Sequence, residues 1–155
     1  MSKAIYPQAF LVLVFLVSAF TSGCEITGPD DPRTTHDSDY EEEWANFQSG
    51  TYYFRVVRGC FCVNGGEHWV QVENGLVTSA FNIWRDEPVP AEQLEYLETI
   101  ENMFEMIRRA KTEAFSLEVE YAKEGYPTFV SIDWIEFAVD DEISFTISDV
   151  HPGIR

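Results

Sequence analysis

Apolar positions change their spacing along this chain, and each change predicts a different element. Ala9–Phe20 (AFLVLVFLVSAF) is an uncharged, nearly continuous apolar run of 12 residues. Glu25–Glu43 (EITGPDDPRTTHDSDYEEE) is almost wholly polar, with two prolines and many acids. Such a stretch buries too little apolar surface to fold and predicts a flexible spacer, with a short helical turn over Glu42–Asn46 leading into the domain. Beyond it, Tyr52–Val57 (YYFRVV) alternates, with Tyr52, Phe54 and Val56 on one face, and predicts a strand. Trp69–Glu73 and Leu76–Phe81 flank Asn74-Gly75, a pair suited to a two-residue type I′ turn, and the implied register sets Val72 opposite Val77.

The period then changes from two to 3.6. Leu94, Leu97, Ile100, Phe104 and Ile107 form one stripe, with Met103 beside it, after Pro90 at a first turn. Thr99 can instead cap a separate helix from Ile100 to about Lys111, with Ala91–Leu97 a short preceding turn. Alternation returns in Ala114–Tyr121, with Phe115, Leu117, Val119 and Tyr121 on one side. Gly125-Tyr126-Pro127 predicts a turn and Thr128–Ile135 a strand whose inner face carries Val130, Ile132 and Trp134. After Asp140-Asp141, Glu142–Ser148 predicts a last strand burying Ile143, Phe145 and Ile147. The order β-β-β-α-β-β-β predicts an α+β fold, an antiparallel sheet of about six strands packed against one main helix.

The N-terminal run is too short for a bilayer, which takes about 20 apolar residues, and suits a signal-peptide core of about 7–15. Thr21-Ser22-Gly23-Cys24 follows it directly. These four residues resemble the lipobox of bacterial lipoproteins, with Thr21 where Leu is usual. The resemblance implies diacylglycerol on the Cys24 thiol and removal of residues 1–23. Several acyl chains then hold the protein at a membrane where one would not. An ordinary secretory cleavage near Ser22–Gly23, leaving Cys24 a free thiol, is the competing expectation. Glu25, rather than Asp, after the cysteine implies a preference for the outer membrane by the lipoprotein sorting rule. The expected organisation is a signal peptide over 1–23, a lipidated cysteine and acidic tether over 24–43, and one domain over 44–155.

Charge narrows the partners. The chain of 155 residues carries a formal net charge of −17. Losing residues 1–23 removes only Lys3 from its charged side chains and leaves nine basic against 27 acidic groups, or −18. This field repels phosphate backbones and excludes nucleic acid as a partner. The partner expected from the sequence is the membrane, reached through the N-terminal lipid. With 12 Phe, 7 Tyr and 4 Trp the domain can fill a core.

Taken together, YYFRVVRGCFC, VENGLV, TIENMFEMI and GYPTFVSIDWIEFAVDDEISFTISDV resemble a family of bacterial lipoproteins of unknown function. The shared features are a Cys-Phe-Cys strand, a Gly-Tyr-Pro-Thr turn and an acidic pair before the last strand, spread over Trp44–Val150. Val63 follows Cys62 where a Pro is expected. The resemblance implies an exported α+β domain and supplies no activity, substrate or catalytic residues.

Cys60 and Cys62 are the foremost candidates for chemistry. In a regular strand they share a face with Cα atoms about 6.5–7 Å apart, at the upper edge of disulfide geometry. A bend permitted by Gly59 would let them bond, and an exported compartment favours oxidation. Free thiols remain open, and so does metal ligation. Two thiolates with His68 would suit Cu(I) or Zn(II), although Cys-x-Cys lacks the spacing of a zinc knuckle, and His68 equally fits a loop or hairpin edge. A second constellation is Asp133, Glu136, Asp140, Asp141 and Glu142. These could hold Ca²⁺ but match no EF-hand spacing and read first as turn acids. His36 falls in the spacer, and no nucleophile elbow or phosphate loop occurs. Trp84 beside Arg85 is the best candidate for a surface aromatic. The expectation is a non-enzymatic envelope lipoprotein without a cofactor, with a thiol redox or Cu(I)/Zn(II) module as the alternative.

Overall fold

A computed structural model describes residues 37–155; the predicted signal peptide, Cys24, Glu25 and His36 lie outside the described residues. In chain order the elements are α1 (Asp37–Phe47), β1 (Thr51–Gly59), β2 (Gly66–Glu73), β3 (Leu76–Asn82), β4 (Glu87–Pro88), a 3₁₀ turn (Ala91–Tyr96), α2 (Ile100–Glu113), β5 (Ser116–Tyr121), β6 (Pro127–Asp133) and β7 (Ile143–Pro152). The strands form one antiparallel sheet in the order β4-β3-β2-β1-β7-β6-β5. Two meanders, β1–β4 and β5–β7, are therefore joined along β1 and β7.

The fold is mixed α+β and mostly sheet, and it departs from the sequence expectation in two ways. The seventh strand is the two-residue β4, too short for an alternating pattern. The second helix is α1, which begins at Asp37, inside the stretch expected to be tether, so the folded domain starts seven residues before Trp44. Its polar sequence buries only Trp44. Partners elsewhere in the chain hold it: Lys111 pairs with Asp37, Arg108 with Glu41 at 2.5 Å, and the Trp44 indole donates to Glu101 at 2.9 Å.

The Asn74-Gly75 hairpin forms as expected. Both residues have positive φ, 52° and 76°, as a type I′ turn requires, and Val72 faces Val77. The helix follows the second of the two sequence expectations. Thr99 caps α2 by accepting from the Asn102 amide at 3.1 Å, while the Asn102 side chain accepts from the Thr99 amide at 3.3 Å. Val130, Ile132, Phe145 and Ile147 are buried as expected, whereas Trp134 and Ile143 are only half-buried. Phe115 lies before β5 and is exposed, since the strand starts at Ser116 and covers neither face fully.

Three stripes on α2 organise the domain. Ile100, Met103, Phe104, Ile107 and Ala110 face the sheet and are buried against Tyr52, Phe54, Val70 and Val130. Each large side chain of that kind contributes about 1.5–3 kcal/mol by burial. Glu101, Arg108 and Lys111 face α1. The remaining stripe, Asn102, Glu105, Met106 and Arg109, faces a groove. No helix among the described residues is long and apolar enough to cross a membrane.

Candidate functional site

Register explains how distant segments meet in that groove. Gly59, the last residue of β1, pairs with Ser144, and Ile132 of β6 pairs with Ile143 at the start of β7. The loop after β1 and the loop between β6 and β7 therefore leave the same end of the sheet. Across from them runs the Asn102–Arg109 stripe of α2. Together they enclose a groove of about 480 Å³ that includes Cys60, Phe61, Cys62, Glu98, Trp134 and Asp140–Ile143. The two constellations singled out in the sequence, the cysteine pair and the Asp140-Asp141-Glu142 run, share this wall.

Cys60 and Cys62 form a close pair with Cα atoms 5.3 Å apart, the sulfurs within covalent reach. The chain does not bend at Gly59, which stays in β1 paired with Ser144; it bends at Cys60–Cys62 themselves, and this brings the two closer than a regular strand would. Cys60 is half-buried and Cys62 exposed, with Phe61 between them pointing out at 86% exposure. The loop is held from behind. Arg58 donates to the carbonyls of Val63 at 3.2 Å and Tyr96 at 2.5 Å, and its guanidinium lies 5.9 Å from the Phe145 ring centre. The Asn64 side chain, on a residue at φ 59°, donates to the Gln93 carbonyl at 3.0 Å. Burial lowers the Arg58 pKa, with Glu98 opposing, and burial raises the Glu98 carboxyl, with Arg58 opposing.

His68 does not join the cysteines. It sits in β2 opposite Val56 and Asn82, fully buried, with Nε2 3.0 Å from the Asn82 amide nitrogen. It is neither a loop nor a hairpin-edge residue, because the strand begins two residues earlier at Gly66. Burial is the main reason its pKa is lowered, with Arg58 and Arg85 lowering it further and the Gly66 backbone and Glu67 opposing. An amide donor on Nε2 leaves the proton on Nδ1, which has no other partner of good geometry. Among the described residues, no three His, Cys, Asp or Glu side chains gather closely enough to hold a metal ion. The proposed Cys60–Cys62–His68 ligand set and the carboxylate Ca²⁺ set thus do not form here.

The carboxylates divide by role. Asp141 closes the β6–β7 loop by accepting from the Ile135 amide at 2.7 Å. Asp140 and Glu142 are exposed and line the groove, whereas Asp133 ends β6 and Glu136 is exposed in the loop. The one basic group lining the groove, Arg109, is already engaged. Its guanidinium lies 4.2 Å from the Trp134 ring centre, and Nε pairs with Glu113 at 3.2 Å. Trp84 is exposed, as expected, but lies flat against Gly66 and donates to Glu67 at 3.2 Å. It does not line this groove.

Sequence reasoning did not find Phe137, which is 92% exposed and held at φ 66°. A bulky residue in the left-handed region costs roughly 1–3 kcal/mol, and no alternation pattern reports it. Nor did it find the open face of the sheet. There Tyr53, Trp69 and Phe81 border a second cleft of about 350 Å³, and Arg155 stacks 4.0 Å from the Trp69 ring centre.

A family model described as a family of unknown function (DUF6174) matches residues 37–152, the stretch from the first residue of α1 to the last of β7. No curated protein and no solved structure matches the chain.

Proposed function

This chain belongs to that family of unknown function, and from that premise we propose that it is a lipid-anchored protein of the bacterial cell envelope whose groove is a non-enzymatic binding site. One observation carries the binding role: two segments about 80 residues apart in sequence are brought to one open groove, and neither contributes to the core there. Core residues explain themselves by burial; exposed aromatic and acidic residues gathered on bent loops do not. The anchor rests on the 12-residue apolar run ending beside Cys24. Glu25 favours the outer membrane.

Cys60 and Cys62 serve as a disulfide that fixes the outward aim of Phe61, consistent with an exported compartment. The second reading, a thiol redox module, draws support from the exposure of Cys62 at the groove mouth. The two part on reduction: a redox pair opens in millimolar dithiol with the fold intact and passes electrons to an acceptor disulfide, whereas a structural staple only loosens its loop.

Intact mass of the protein extracted from its native membrane tests the anchor. Diacylglycerol on Cys24 as the first residue is expected; retention of Met1 with an unmodified thiol overturns it. A photo-crosslinking residue at position 61 tests the groove. Adducts in the envelope are expected there and not at Leu76, which is also exposed but lies at the opposite end of the sheet. Adducts at both positions or at neither overturn the binding reading.

A further inference from the structure

The two loops that border the groove carry apolar side chains the fold does not use. Phe61 and Val63 are 86% and 55% exposed on one loop; Ile135, Phe137 and Val139 are 61%, 92% and 82% exposed on the other. Alternation along Ile135–Val139 brings no burial, and Phe137 is held in a backbone conformation unfavourable for its type. Single exposed apolar residues are ordinary, but five on the two loops that flank one groove, with Phe61 lining the groove itself, mark a docking surface.

Charge selects the occupant. The groove is lined by Glu98, Glu105 (4.0 Å from Arg108), Asp140 and Glu142, against the single lining guanidinium of Arg109, which Glu113 and Trp134 already occupy. The whole chain carries −17. A second copy would bring the same acidic surface to this one, and an anionic bilayer would be repelled likewise. A basic protein segment is attracted, and its apolar side chains have a rim to bury against.

We propose that this rim and groove dock a basic segment of a partner protein, with Lys or Arg side chains over the groove carboxylates and interspersed apolar side chains against Phe61 and Phe137. The inference deepens the binding reading and rests on it. Phe61 and Phe137 supply the contact area, and Asp140 and Glu142, which make no hydrogen bond that closes the loop, supply the attraction.

The test titrates the protein extracted from its native membrane against fluorescent decapeptides of alternating Lys and Leu, alternating Glu and Leu, and alternating Lys and Ser, followed by anisotropy. The Lys-Leu peptide is expected to bind at least tenfold more tightly than either of the others. A Phe61→Ser/Phe137→Ser variant is expected to keep its Tm, because both side chains lie in solvent, and to lose at least tenfold in affinity for that peptide. An Asp140→Asn/Glu142→Gln variant is expected to lose affinity and to flatten its salt dependence. Equal binding of the Glu-Leu peptide overturns the cationic preference, and equal binding by the double Phe variant overturns the rim. Either failure leaves the groove itself to be judged by the crosslink at position 61. Absence of binding by any peptide, with the crosslink present, overturns the basic-segment inference alone.

Discussion

Tyr52 shows how one buried polar side chain ties three elements together. Its hydroxyl donates to Glu101 at 2.5 Å and accepts from the Ile100 amide at 3.1 Å, while Glu101 also accepts a hydrogen bond from the Trp44 indole N–H. Burial and the Glu101 charge raise the Tyr52 pKa, so the hydroxyl stays protonated and keeps donating. Tyr52→Phe should cost about 1–3 kcal/mol in urea unfolding, because the α2 amide and the carboxylate lose a partner without water to replace it. His68 makes the opposite kind of site, a base held neutral. Its folded pKa lies below the 6.5 of the free side chain, so in the window just below pH 6.5 the unfolded chain binds more protons than the folded one. Stability from this group is therefore complete above pH 6.5 and falls as the pH drops through that window. The slope reaches at most about 1.4 kcal/mol per pH unit. His68→Gln should remove that slope relative to wild type in denaturant titrations between pH 7.5 and 5; parallel curves would show that His68 does not titrate on unfolding.

At the level of elements, Gly125 decides where α1 rests. It has φ +92°, and a methyl group on it would collide with the Tyr40 carbonyl, the Trp44 amide and the Glu43 side chain. Gly125→Ala should therefore lift α1 off the β5–β6 turn, destabilise by about 2 kcal/mol or more, and expose Trp44 to quenchers. The Cys60–Cys62 ring, by contrast, encloses one residue. Replacing both by Ser should cost no more than about 1.6 kcal/mol on chain-entropy grounds, measured as a small drop in Tm. These elements also mark what patterns can carry. The Asn74-Gly75 turn, the Thr99 cap and the apolar alternation of β6 and β7 were legible because each is encoded within a few neighbouring residues. Of α1 only a short turn at Glu42–Asn46 was, since DSDYEEEWANF has almost no apolar stripe and relies on Lys111, Arg108 and Glu101, 57 to 74 residues from their partners. His68 was misread for the same reason: its partner Asn82 is set by the β2–β3 register. Both halves of the groove were visible as motifs, but their meeting depends on β7 inserting between β1 and β6, which no local period specifies.

For the molecule as a whole, the helix at Asp37 and the family match from residue 37 define the same unit. A chain of Asp37–Arg155 should melt within a few degrees of one starting at Cys24, whereas one starting at Trp44 should lose several degrees along with the Asp37–Lys111 and Glu41–Arg108 pairs. Equal melting temperatures for the two would show that α1 is dispensable.

That early start also sets a mooring length. With α1 occupying Asp37–Phe47, only Glu25–His36 separate the proposed anchor at Cys24 from the first helical turn. Twelve residues reach at most about 40–43 Å when drawn out fully. Under the proposed anchoring, the domain patrols a shallow layer above the bilayer. Whatever occupies its groove has to come down into that layer or reside there, which makes another surface-bound envelope component a better quarry than a freely diffusing one.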